Sequence, residues 1–155
     1  MVTVDIMPHE GKEYTGRWMY HFAENFNEDL GAFRFLPFAR WYDRVAAIPY
    51  GSDDEIFPDS EKEIIEVVAR PEYLMNRATW PRLDCKKKAI LIGAWAAANG
   101  VPFAFLAVSE KPSKEIHHVF PVVCLNGQWK TADATFPDYH IGQAFPITHA
   151  EELRR

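Results

Sequence analysis

Three residues of this chain have the types and the order that covalent thiol chemistry needs. Cys85 stands in Leu83-Asp84-Cys85-Lys86-Lys87-Lys88, His118 follows His117 and precedes Val119-Phe120, and Asp133 lies between Trp129 and Thr135. A thiol becomes a strong nucleophile when an imidazole takes its proton and later returns it to the leaving group. A carboxylate that fixes the ring tautomer and stabilises its cation completes the set. The chemistry implied is acyl transfer through a thioester, with Cys85 as nucleophile, His118 as proton acceptor and donor, and Asp133 as its orienting partner. An oxyanion donor is also required. The Cys85 backbone N–H is one candidate and the Trp80 indole N–H a second, with core packing as the competing role for Trp80.

Such a site works only if the elements around it hold it rigidly. Asp84 is a good N-cap, Ala89 to Ala98 is rich in helix formers, and Asn99-Gly100 is a stop signal, so a helix is predicted over Cys85 to Ala98. Ile90, Leu91, Ala94, Trp95 and Ala98 recur at spacings of three and four, which gives it an apolar face and a central place in the core. A thiol in its first turn lies near free backbone N–H groups and the positive end of the helix dipole, and Lys86, Lys87 and Lys88 add positive charge.

A strand is predicted from Val101 to Val108, a polar loop from Ser109 to Glu115, and then a hairpin. His118 to Leu125 reads as its first arm, Asn126-Gly127 as a two-residue turn, and Gln128 to Ala132 as the return. That turn pairs Leu125 with Gln128, Cys124 with Trp129, Val122 with Thr131 and Phe120 with Asp133. His118 then shares a face with Asp133 and lies diagonal to it, within reach of a hydrogen bond. Pro121 lacks an N–H, so an edge position or a bulge is the alternative here, and a bulge would turn His118 to the other face.

At these residues the chain resembles the transglutaminase-like superfamily, a branch of the papain-like cysteine enzymes. Members show Gly-Asp-Cys and a helix ending in Ala-Leu-Gly-Ile-Pro, then His-x-Trp/Phe-x-x-Val, then Trp-x-x-x-Asp-x-Thr. This chain has Asp84-Cys85, then Ala98-Asn99-Gly100-Val101-Pro102, then His118-Val119-Phe120-Pro121-Val122-Val123, then Trp129 with Asp133-Ala134-Thr135. The match runs from about Pro71 to Pro137, and its three blocks stand in the family's order. It implies an α+β papain-like core, with a central helix starting at the Cys and packed on an antiparallel sheet. It also implies a catalytic triad of Cys85, His118 and Asp133. Leu83 stands where the family has Gly, and the three lysines replace a more acidic stretch. The wording around His118 and Asp133 is similar to small members encoded by bacteriophages and prophages.

The N-terminal half is less regular. Aromatic residues crowd the span from Tyr14 to Tyr50 and are read as core. Pro37 to Ala47 is predicted helical, with Phe38, Trp41, Tyr42 and Val45 on one face. Asp53, Asp54, Glu55 and Asp59 lack the spacing of a calcium loop and read as solvated. Ser60 to Ala69 is predicted as a short helix with Ser60 as cap and Glu63 behind it. The organisation expected is one domain over 1–155: an aromatic-rich part over 1–70, the motif-bearing core over 71–137 and a C-terminal tail over 138–155.

Composition sets the remaining bounds. The 155 residues are 48% hydrophobic and 14% aromatic, enough for one core. Lys and Arg total 17 against 22 for Asp and Glu, a net charge of −5 that argues against a nucleic-acid partner. No stretch approaches the roughly 20 apolar residues of a membrane span, and the N-terminus lacks a signal core, so a cytoplasmic protein is expected, or a virion-associated one if phage-encoded. Cys85 and Cys124 are expected to be free thiols, with Cys124 buried beside a core Trp129. No cofactor is expected. His117, His118, His140 and Cys124 show no short paired ligand spacing, so no metal is expected either. The leading reading is a cysteine peptidase or amidase acting on a peptide or protein, with hydrolysis favoured over Gln–Lys crosslinking because no calcium-loop spacing is present. The alternative is a virion structural or assembly protein that keeps the fold without using the triad, with phage structural proteins as partners. An arylamine N-acetyltransferase is disfavoured by the short chain.

Overall fold

A computed structural model describes residues 3–6, 11–52, 66–109, 118–145 and 149–155. The expectations for the acidic stretch from Asp53 to Asp59, for the loop over 110–115 and for His117 lie outside these residues. Among them the elements run β1 (Thr3–Ile6), α1 (Gly11–Glu24), a 3-10 segment (Asn27–Phe35), α2 (Phe38–Ala47), β2 (Glu66–Ala69) and α3 (Pro71–Leu74). The chain continues with α4 (Cys85–Ala98), β3 (Phe103–Ser109), β4 (His118–Leu125), β5 (Gln128–Thr131) and β6 (His149–Glu152). The architecture is α+β: an antiparallel sheet in the order β5-β4-β3-β6, a separate β1-β2 pair, and helices gathered around α4.

Helix α4 has the predicted bounds, but it is buried on every side rather than along one face. Ala89, Ile90, Leu91, Ile92, Ala94 and Ala96 are all at most 1% exposed. A helix apolar all round must be wrapped by other elements. Trp41 of α2 donates its indole N–H to the Leu91 carbonyl at 3.0 Å, and Trp95 of α4 donates to the Leu36 carbonyl at 3.0 Å. On another side β3 approaches closely at Gly93. A Cβ added there would stand 2.8 Å from Phe103 and 2.9 Å from Phe105.

The hairpin follows the predicted register, with Leu125 opposite Gln128, Cys124 opposite Trp129 and Val122 opposite Thr131. Asn126 and Gly127 both take positive φ, as a two-residue primed turn demands. Pro121 lies neither on an edge strand nor at a bulge, because β4 is flanked by both β3 and β5. Its carbonyl accepts the Ala132 N–H at 2.9 Å. Pro121 has no N–H to return, so the ladder ends there, the chain turns away at Asp133, and the expected Phe120–Asp133 pair does not form.

Several elements differ from the sequence expectation. Glu66–Ala69 is a strand paired antiparallel with β1, not the end of a helix, while 60–65 lie outside the described residues. Its β-branched Val67 and Val68 suit a pleated strand. Helix α1 carries no strong cap or stop signal, yet it buries Thr15, Met19, Tyr20, Phe22 and Ala23 at helical spacing. Within 138–155, β6 adds a fourth strand beside β3, and Leu153 is 3% exposed in a space that Gly16 leaves open. Strand β6 is exposed along its length and so carries no apolar alternation. Trp129 is 58% exposed and Cys124 only partly buried, since β5 is an edge strand with an uncovered outer face.

Gly93 yields the first prediction. Gly93→Ala should lower stability by about 1–3 kcal/mol through overpacking against Phe103 and Phe105, although alanine is the better helix former. Urea denaturation with an unchanged m-value would register it, and a stabilised variant would contradict the close approach.

Candidate active site

Asp84 sets the start of α4. Its Oδ1 accepts the Lys87 backbone N–H at 3.0 Å, and its Oδ2 pairs with the Lys87 ammonium at 3.0 Å. Burial pushes the Asp84 carboxyl upward, but the neighbouring Lys87 and Lys86 charges and the capping bond outweigh it, so its pKa is lowered. The capped helix start presents Cys85, which is 9% exposed. Leu83 is fully buried, and its backbone runs parallel to Tyr50, with Gly51 donating to the Leu83 carbonyl at 3.2 Å. The side chain that replaces the resembled family's Gly therefore packs into the core.

His118 opens β4. Its Nε2 is hydrogen-bonded to Asp133 Oδ2, and Cys85 lies close enough to the ring to bear on its charge. Burial works to lower the His118 pKa. The hydrogen bonds to Asp133 and Cys85 win, and the value rises to about 10. Around neutral pH the ring is an imidazolium held against the Asp133 carboxylate.

Asp133 follows the end of β5 and is 2% exposed. Its second oxygen, Oδ1, accepts the Thr135 backbone N–H at 3.0 Å and the Thr135 hydroxyl at 2.5 Å. Its backbone carbonyl accepts the Tyr42 hydroxyl at 2.5 Å. Burial first, and then the Asp133 charge, push the Tyr42 phenol up, so it remains a donor. The Asp133 carboxylate is thus oriented through Oδ1, and its backbone through the carbonyl, before Oδ2 meets the imidazole.

Cys85, His118 and Asp133 come together, from a helix start, a strand start and a turn. Trp80 is fully buried, and the Lys87 ammonium lies over its ring at 5.1 Å from the centroid, a packing environment. His140 is exposed, and its backbone N–H is taken by Gln143 Oε1 at 3.0 Å. Tyr139 packs between Phe136 and Phe145, with ring centroids 5.2 and 5.3 Å away. Among the described residues no group of three or more His, Cys, Asp or Glu is arranged to hold a metal, and no helix is long and apolar enough to cross a membrane.

Tyr42, Thr135 and Lys88 belong to the surroundings of the triad and were not read as such in the sequence. Tyr42 looked like one more core aromatic. Thr135 carried a signal in its spacing, since a hydroxyl two residues after an Asp can close a local turn on the carboxylate. Compared with protein-family models, with curated proteins and with solved structures, the chain matches none.

The raised His118 pKa has a signed consequence for stability. The folded state keeps a proton that the unfolded chain releases above its ordinary value of 6.5. The stabilisation is full below that pH and is lost as pH rises toward about 10. Denaturant melts of wild type and His118→Gln should show a stability gap that is widest at mildly acidic pH and closes toward pH 10. Lys88, whose burial lowers its pKa to about 8, drives stability the opposite way above that pH, so the narrowing of the gap is read first between pH 6.5 and 8, where Lys88 keeps its proton. A gap independent of pH would contradict the His118 assignment.

Proposed function

We propose that the protein is a thiol hydrolase of the transglutaminase-like type, cleaving a peptide or amide bond through a thioester on Cys85. One observation carries the reading: the His118 ring is bonded to Asp133 through Nε2 and interacts with Cys85, the first residue of a buried helix. A helix that carries the thiol at its first residue, packed against an antiparallel sheet that carries the imidazole, also supports the finer assignment to a papain-like core.

In this mechanism Cys85 and His118 work as thiolate and imidazolium. The sulfur attacks the substrate carbonyl carbon, a C–S bond forms, and the carbonyl electrons move to oxygen. The Cys85 backbone N–H, at the positive end of α4, faces that developing charge. Collapse expels the amine, which takes its proton from His118, and leaves the thioester. Water then attacks with the neutral imidazole as base, the acid departs, and the thiolate and imidazolium are restored. Asp133 holds the ring in one orientation throughout and stabilises its cation.

The mechanism is tested by alkylation and trapping. Iodoacetamide should modify Cys85 faster than Cys124 near neutral pH, and His118→Ala should lose that advantage, as read by mass spectrometry of the two peptides. A small aryl ester should leave an acyl adduct on Cys85 that Cys85→Ala lacks. Turnover that survives Cys85→Ala would overturn the covalent mechanism, and equal rates at the two cysteines would overturn it in favour of a protein that uses this fold only for assembly.

A further inference from the structure

The proposed chemistry leaves one deeply buried charge without a role. Lys88 lies three residues beyond Cys85 on α4 and is 1% exposed. Its ammonium donates to the Thr135 carbonyl at 2.7 Å and to the Ala46 carbonyl at 3.3 Å. An apolar side chain of similar length would fill this position without the cost of desolvating a charge. What the ammonium holds is the turn that bears Asp133. Thr135, whose carbonyl it grips, donates both its N–H and its hydroxyl to Asp133 Oδ1. From α2, Tyr42 grips the Asp133 carbonyl and Ala46 shares the ammonium.

We infer that Lys88 is a positioning residue for the carboxylate of the triad. Its ammonium clamps the Asp133–Thr135 turn onto the helix that carries Cys85, and thereby presents Asp133 Oδ2 to His118. The inference rests on the triad reading above. The charged groups that bear on Lys88 are Asp133, which favours its protonated form, and Arg77, which opposes it.

The test is an NMR titration of the His118 ring in wild type, Lys88→Met and Lys88→Arg. Loss of the Asp133 bond must lower the His118 midpoint, because that bond favours the charged ring. The wild-type midpoint should lie well above 6.5, the Lys88→Met midpoint lower than wild type by about one pH unit or more because no N–H donor remains for the Thr135 carbonyl, and the Lys88→Arg midpoint at or above wild type because its donor keeps its charge. A raised wild-type midpoint that is unchanged or higher in Lys88→Met would overturn the clamp alone. A wild-type midpoint near 6.5 would overturn the triad reading and the clamp with it. If Lys88→Met does not fold, wild type still decides. As Lys88 loses its proton around pH 8, the His118 resonances should show a second inflection at the midpoint of the Lys88 Nζ signal, and its absence would overturn the clamp.

Discussion

The burial of α4 on all sides is the constraint from which the rest of the structure follows. Its residues from Ala89 to Ala96 leave no face for water, so α1, α2, the 3-10 segment, β3 and β4 close around it. A helix held this way cannot slide or tilt without opening the core, because interiors are packed as tightly as organic crystals. Cys85, at its first residue, inherits that rigidity. Gly93 marks the tightest point, where the aromatic rings of β3 take the place of a side chain.

Full burial has a cost at the start of the helix, where Asp84, Lys87 and Lys88 are charged and almost wholly out of water. Each is compensated locally. Asp84 and Lys87 neutralise one another, and the same carboxylate caps the helix. Lys88 has carbonyls instead of a carboxylate for direct partners, and Asp133 as the nearby negative charge. The first turn of α4 is therefore an electrostatic assembly set into an apolar core. Nucleophile, cap and buried ammonium share one rigid backbone segment.

The aromatic first half, which has the weakest local signals, builds much of the wall around this helix. Phe38 packs on Trp95 at 5.0 Å between ring centroids, and Tyr20 on Phe105 at 4.6 Å. Two of these aromatics are also hydrogen-bond donors with fixed targets: Trp41 to the Leu91 carbonyl and Tyr42 to the Asp133 carbonyl. Tyr42 links the wall to the site, which makes α2 part of the same unit as the triad. Phe33 and Phe35, by contrast, stay exposed, with Arg44 and Arg34 over their rings.

What the sequence determined by itself are the features written in local rules. The Asp84 cap and the Asn99-Gly100 stop bound α4, and Asn126-Gly127 sets the hairpin register that brings the start of β4 near the turn bearing Asp133. Each depends on residues a few positions apart, whose backbone preferences act in the same way in almost any fold. Tertiary structure alone decided the rest. Strand β6 pairs through its backbone with no apolar alternation to announce it, and Val67 and Val68 become a strand because β1 lies beside them. Lys88 reads as one of three lysines adding charge near Cys85 until α2 and the Asp133 turn close over it, and Trp129 reads as core until β5 proves to be an edge. Burial and partner choice come from contacts between distant segments, and those are fixed only when the whole chain packs around α4.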